Sequence, residues 1–380
     1  MKIVILTYPL NNNFGNLLQA WALRHYLEGL GHTVSVVDRQ ISKTQWSIIK
    51  NRIKVFIRRI LRLRVYPSKS LKQEHTYSQN TQKFIVEEIK AQHYFTTASL
   101  NREMSNYEAV VVGSDQVWRP SFLPHSYKNY FLYELDPSQN IRRISYAASL
   151  GVDHWEFTPS QEYIAKKWLA YFDAISVREY SSIKLLKEHL SLDSVFMIDP
   201  TFLVEKNDYI NLVEADKARC QTLNDKIFCY ALDLIPSYRT HIDCFIKREG
   251  LSVAYIEDFY GESSGDQIYP SVTQWLYNLL HADYVITNSF HGCAFSIIFN
   301  KPFIVLFNEK RGNARLLSLL SLFNLESHIY KWEDLDSMHL EYFSVNWQPV
   351  NEKLAEYKNL AHQFICRSLN RDCRKKNKTL

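Results

Sequence analysis

Short, unbroken apolar runs alternate with amphipathic stretches along most of this chain. The first run, "KIVILTY" (2–8), has the continuous pattern of a strand buried on both faces. A turn-rich stretch, "PLNNNFGN" (9–16), follows it. "LLQAWALRHYLEGLG" (17–31) then sets apolar residues at 17, 20, 23, 27 and 30, one helical stripe closed by Gly31. "TVSVVD" (33–38) is a second strand. Strand, loop, helix, strand is the opening unit of a parallel α/β sheet.

The same rhythm continues. "YEAVVVGSDQVW" (107–118) is a strand ending in Gly113-Ser114-Asp115-Gln116. "RRISYAASLG" (142–151) is another, and "FDAISVREYSSIKLLKEHL" (172–190) reads as strand, Arg178-Glu179, helix. "SVFMIDPTFLV" (194–204) closes the first half. The second half predicts strands at 227–234, 251–257, 283–287 and 303–307. Its helices fall near 236–249, 271–281, 291–299 and 312–322. The expectation is an α/β protein of two doubly wound Rossmann-like domains facing a cleft, residues 1–204 and 227–345. The polar stretch 205–226 joins them, and a terminal helix, 351–372, packs back across both. A length of 380 residues suits two domains.

Composition adds a charge asymmetry. The net charge is +5, but residues 43–72 hold ten Lys/Arg and no acid, which leaves the rest with 35 basic and 40 acidic residues. Within that segment Trp46, Ile49, Ile53, Phe56, Ile57 and Ile60 share one helical face ringed by cations. Such a helix can lie on an anionic membrane surface, or pack its stripe on the domain and solvate its charges. No nucleic-acid motif accompanies the cations, so no nucleic-acid partner is expected. A second basic run, "CRSLNRDCRKKNK" (366–378), ends the sequence. No run approaches the roughly 18 apolar residues of a membrane span, and the start lacks the apolar core of a signal peptide. The six Cys are scattered without a CxxC pair, which argues against zinc or a disulfide framework and fits a reducing cytoplasm. Aromatics make up 14% of the chain; they suit sugar stacking and core filling alike.

Polar clusters fall at the carboxyl ends of the expected strands: Asn11–Asn16, Gly113–Trp118, Arg178-Glu179, Asp199 and Asn288–Gly292. That recurrence points to one shared cleft. The sharpest is Asn288-Ser289-Phe290-His291-Gly292, where a helix start offers free N–H groups to an anion. A histidine there can act as general acid toward that anion, or simply cap the helix. Gly15-Asn16 lets a ligand approach the backbone, but no GxGxxG or P-loop is present. Asp115 and Gln116 can bind or deprotonate a sugar hydroxyl, or cap a helix. Arg178 can clamp a carboxylate or phosphate, or pair with a local acid. Lys310, Arg311 and Arg315 in "EKRGNARLLSLL" (309–320) can add positive charge, or solvate a helix start.

These pieces, taken in order, resemble the polysaccharide pyruvyl transferases. The resemblance rests on "NNFGNLLQAWALRHYLEGLGHTVSVVD" (12–38), "VVGSDQVW" (111–118), "SYAASLG" (145–151), "ISVREYSS" (175–182), "IDPTFLV" (198–204) and "ADYVITNSFHGCAFSIIFNKPFIVL" (282–306). It implies a fold like the two-domain GT-B glycosyltransferases and transfer of a pyruvyl group from phosphoenolpyruvate to sugar hydroxyls, forming a cyclic ketal on a bacterial surface glycan. It implies His291 as proton donor. Arg178 then suits the phosphoenolpyruvate anchor, with Asn288, Ser289 and Gly292 around it, and Gly15, Asn16, Asp115 and Gln116 suit the acceptor sugar. Some relatives carry a basic residue where this chain has Ser289, so Arg311 or Arg315 must supply that charge. No cofactor or metal is expected; phosphoenolpyruvate is a co-substrate. An acceptor carried on a polyprenyl diphosphate would place a cytoplasmic enzyme peripherally on the inner membrane face, held by the basic segment. Two other readings stay open: a GT-B-like glycosyltransferase using a nucleotide sugar, and a non-catalytic glycan-binding protein.

Overall fold

The computed structural model describes residues 1–40, 71–256, 268–307 and 314–370. The segment 41–70, Lys310 and Arg311, and the chain beyond 370 lie outside the described residues, and with them almost all of the basic insertion. Two wholly parallel sheets form the frame. The first has seven strands in the order β3 (Ala91–Tyr94), β2 (Thr33–Arg39), β1 (Lys2–Leu6), β4 (Ala109–Val112), β5 (Arg142–Ala148), β6 (Ala174–Val177) and β7 (Val195–Phe196), and the second five in the order β12 (Ile329–Tyr330), β11 (Phe303–Leu306), β10 (Tyr284–Thr287), β8 (Ile227–Tyr230) and β9 (Val253–Tyr255). In the first, β1 (Lys2–Leu6) pairs with β2 (Thr33–Arg39) on one side and β4 (Ala109–Val112) on the other. In the second, β8 (Ile227–Tyr230) pairs with β9 (Val253–Tyr255) and β10 (Tyr284–Thr287).

Strand order reverses between β1 and β4 in one sheet and between β8 and β10 in the other, while every strand keeps the same direction. In open parallel sheets such switch points open a crevice at the carboxyl ends of the strands. The polar clusters predicted from sequence follow β1, β4 and β10, so both crevices carry them.

Helix α1 (Phe14–Gly29) starts three residues before the apolar stripe predicts, because Asn13 caps it by accepting from Asn16 N. Asn16 is therefore a first-turn helical residue rather than part of a loop. Nearly the whole first half of α1 is buried, since it packs on its own sheet and against the second domain. Phe14 crosses that boundary: its ring stacks on Tyr269 (4.9 Å between centroids) and Trp275 (5.7 Å). Tyr77 of helix α2 (Leu71–Phe84) meets the same Tyr269 at 5.2 Å. One apolar core thus runs through both halves.

The stretch 205–226 is more than a connection. Residues Lys206–Ala215 form a helix that buries Tyr209. Strand β3 (Ala91–Tyr94) and the helix Pro159–Leu169 escaped the sequence pattern, the first because two of its four side chains are exposed, the second because it is largely solvated. The terminal helix (Trp347–Leu369) begins beside Phe303 of the second sheet. It ends on the first domain, where His362 Nδ1 meets Tyr26 OH at 2.8 Å and Tyr357 OH meets Tyr180 OH at 3.1 Å. Among the described residues no helix is long and apolar enough to cross a membrane.

Candidate active site

Two helix starts from different domains meet at one point. Helix α9 (Phe290–Phe299) follows β10 and is capped by Ser289, whose hydroxyl accepts from Gly292 N at 3.5 Å. Its first turn lies so close to Thr287 that a Cβ on Gly292 would stand 2.9 Å from Thr287 Cβ and closer still to its hydroxyl. His291 emerges from that turn and packs on the first turn of α1. A Cβ on Gly15 would lie 2.6 Å from His291 Cβ and nearer still to Cγ and Nδ1. The glycine is what lets the imidazole sit there. His291 is 5% exposed and its Nε2 has no hydrogen-bond partner.

Facing that nitrogen is a buried charge network built mainly from the first domain, with Arg315 added from the second. Asp199 follows the short strand β7 (Val195–Phe196) and caps the next turn, with Oδ1 accepting from Thr201 N at 3.0 Å and Thr201 Oγ1 at 2.8 Å. Its Oδ2 accepts from Arg178 Nη1 at 2.6 Å and Ser114 Oγ at 3.0 Å, and lies 3.7 Å from His291 Nε2. Arg178 Nη2 reaches Asp115 Oδ1 at 3.3 Å, and Arg315 Nη1 reaches the same oxygen at 3.4 Å. The Arg178 guanidinium lies 4.4 Å over the Phe290 ring. Glu179, bonded to Ser149 and Ser182, stands 3.8 Å from Arg178 Nε.

Three buried carboxylates thus surround Arg178. Burial alone would lower the Arg178 pKa, but Asp199, Asp115 and Glu179 raise it above its ordinary value. Burial pushes the Asp199 carboxyl up, yet the pull of His291 and Arg178 holds it well below the usual carboxylate range. Asp115 follows the same balance: burial raises it, and Arg178, Arg315 and His291 bring it below its normal value. Arg315 is brought down to about 10, by burial first and the Arg178 charge second. Asp115 also holds a left-handed backbone, φ 69°, which is uncommon outside glycine.

A family model for polysaccharide pyruvyl transferases matches residues 13–309. The chain belongs to the polysaccharide pyruvyl transferase family. The match takes in His291, Asp115, Arg178 and Asp199, and Arg315 lies beyond it. The UDP-GlcNAc 2-epimerase of Neisseria meningitidis, solved with UDP-GlcNAc, superposes with a TM-score of 0.51 at 9% identity, over 97% of this chain and 100% of that one. The Arabidopsis thaliana protein UGT89C1, solved with UDP-L-rhamnose, gives a TM-score of 0.49 at 9% identity, over 98% and 99%. The epimerase likeness is one of fold alone: a GT-B-like pair of Rossmann-like domains. No curated protein matches the sequence.

For this pyruvyl transferase family member, the residues singled out from sequence take different parts. His291, Asp115, Arg178 and Arg315 come together. Gly15, Gly292 and Ser289 shape the ground on which His291 stands. Asn16 and Asn288 serve as braces: Asn16 Nδ2 donates to Pro9 O at 2.9 Å, while Asn288 exchanges hydrogen bonds with Leu232 N and O at 2.7 and 2.8 Å. Gln116 turns away, its Oε1 accepting from Arg119 Nη1 at 3.0 Å and pressing on Gly151. Arg311 lies outside the described residues. The sequence noted Asp199 as one of the strand-end polar clusters without giving it a role, yet it is the hub of the network. The signal was there in Asp199-Pro200, an acid placed to cap a turn directly after a strand. Phe290, between Ser289 and His291, gave no such signal. Among the described residues, no group of His, Cys, Asp and Glu is placed to hold a metal.

Proposed function

We propose that the chain transfers the pyruvyl group of phosphoenolpyruvate to two hydroxyls of a sugar acceptor, forming a cyclic ketal and releasing phosphate. His291 delivers a proton to the methylene carbon. A sugar hydroxyl attacks the cationic carbon so formed and loses its proton. The carbon–oxygen bond to phosphate then breaks, and a second hydroxyl closes the ring as it too loses a proton. The observation that carries this reading is His291 itself, buried between two helix starts with an unpartnered Nε2 and facing arginines and carboxylates. A binding module needs no such arrangement.

The network also suggests how the site accepts an anion. Asp199 holds Arg178 at 2.6 Å, but the Arg178 and Arg315 contacts to Asp115 are long, at 3.3 and 3.4 Å. A substrate carboxylate or phosphate competes for those two donors and leaves the Asp199 pair in place. Asp115 then loses the arginine field that depresses its pKa and becomes a stronger base, suited to taking a hydroxyl proton. The first turn of α9 adds N–H groups toward the anion.

The test is phosphate release from phosphoenolpyruvate with galactosyl, mannosyl and N-acetylhexosaminyl acceptors. Phosphate release with a ketal-bearing product supports the reading. A glycosyltransferase of this fold would ignore phosphoenolpyruvate and release nucleotide from a sugar nucleotide, and that outcome would replace it.

A further inference from the structure

A second polar cluster sits on the same sheet edge, and the reaction above leaves it without a role. Asp38, at the carboxyl end of β2, is fully buried. Its Oδ1 accepts from Leu10 N at 3.1 Å, and its Oδ2 accepts from Gln40 Nε2 at 2.6 Å and meets His93 Nδ1 at 3.0 Å. His93 stands in register with Asp38 on the neighbouring strand β3. Its side chain is 37% exposed. With Nδ1 held by the carboxylate, Nε2 is the ring nitrogen left to meet a ligand. The Asp38 hydrogen bond holds the His93 pKa above its ordinary value.

Tyr130 gives an independent sign. Its side chain is fully buried, yet its hydroxyl has no hydrogen-bond partner. Asp38, Tyr8 and Arg39 are the ionisable groups whose charge it feels, and Arg39 Nε donates at 3.0 Å to Asn129 beside it. Leaving a buried hydroxyl unpaired carries the cost of its lost hydration. A cost of that kind persists most readily where a bound molecule removes it.

Position supplies the rest. Leu6 pairs with Val37 on one side and Val112 on the other, so Asp38 and Gly113 stand about two strand spacings, or about 10 Å, apart. His93 lies a further spacing out, about 14 Å from Gly113 along the sheet edge. That is too far to touch the reacting carbon, but within the span of a chain of sugar rings. We propose that Asp38, His93 and Tyr130 form a subsite for a neutral, hydroxyl-bearing ring of an extended glycan acceptor, remote from the pair of hydroxyls that reacts. An imidazole braced by a carboxylate and a tyrosine hydroxyl can each give or take a hydrogen bond, which suits adjacent sugar hydroxyls. The buried Asp38 charge disfavours an anionic occupant. The inference rests on the acceptor being a glycan, as proposed above, and needs nothing from phosphoenolpyruvate.

The test is therefore binding without turnover. Neutral galactosyl and N-acetylhexosaminyl acceptors, from single sugars to tetrasaccharides, are titrated into the full chain by calorimetry without phosphoenolpyruvate. Affinity should rise with acceptor length in the wild type. His93→Ala and Tyr130→Phe should each cut that gain roughly 3- to 10-fold, the scale of one hydrogen bond. Tyr130→Phe should meanwhile melt no lower than wild type, because it removes an unpartnered hydroxyl. A purely structural role would do the reverse, lowering stability and sparing the length dependence. Equal affinities in wild type and both variants, or no gain with length in the wild type, would overturn the proposal. Length-dependent binding without any pyruvyl transfer would count against the reaction and leave this subsite standing.

Discussion

Replacing Gly15 by Ala tests the meeting of the two domains at His291 without altering a single ionisable group. The added methyl would stand 2.6 Å from His291 Cβ and closer to the ring. Real carbon–carbon contacts do not approach so closely, so the imidazole or the helix must shift. Overpacking of this kind costs about 1–3 kcal/mol, while Gly→Ala within a helix returns about 1 kcal/mol. The net loss is therefore roughly 0–2 kcal/mol, small enough for the fold to survive. Activity should suffer far more, because a displacement of about 1 Å at a catalytic group can cost about 100-fold. The assay pairs phosphate release from phosphoenolpyruvate with urea unfolding. Gly29→Ala is the control, since nothing lies within 4 Å of a Cβ there. A wild-type rate in Gly15→Ala would refute the coupling, and so would a loss of rate that merely follows loss of the fold.

Phe14→Ala removes the aromatic bridge to Tyr269 and Trp275, and should lower stability by about 3–5 kcal/mol in a urea melt. Asp199→Asn strips the strongest partner from buried Arg178 and should cost about 3–5 kcal/mol. Because Asp199 has a lowered pKa when folded, the unfolded chain takes up the proton first. Its stabilisation is thus complete above about pH 4, the ordinary carboxylate value, and fades as the pH falls below that. Unfolding midpoints measured down through that range should fall more steeply for wild type than for Asp199→Asn. Deleting residues 43–72, with their ten cations, should weaken flotation with anionic vesicles, at about 1 kcal/mol per cation near the surface; equal flotation would remove the membrane role.

The parallel sheets were legible because buried strands such as "KIVILTY" and "AVVV" are apolar without interruption. The site was legible in outline because polar residues crowd the ends of those strands. What remained hidden depends on distance in the chain. Nothing local marks Asp199 as the partner of Arg178 and His291, because the first lies 21 residues away and the second belongs to the other domain. Asn16 and Asn288 misled for the opposite reason: an asparagine at a strand end looks the same whether it faces a ligand or ties down its own loop. Strand β3 was missed because it is four residues long with its two central side chains exposed, too short and too polar to read, yet it carries His93.

The central claim is that His291 protonates the methylene carbon of phosphoenolpyruvate. Its most direct test is single-turnover transfer in deuterated water, comparing wild type with His291→Ala at equal acceptor occupancy. Wild type should form a ketal whose methyl group carries one solvent deuteron, and His291→Ala should form it at least about 100-fold more slowly, the usual scale of general acid catalysis. A His291→Ala enzyme that makes the same labelled ketal at the wild-type rate would contradict the account.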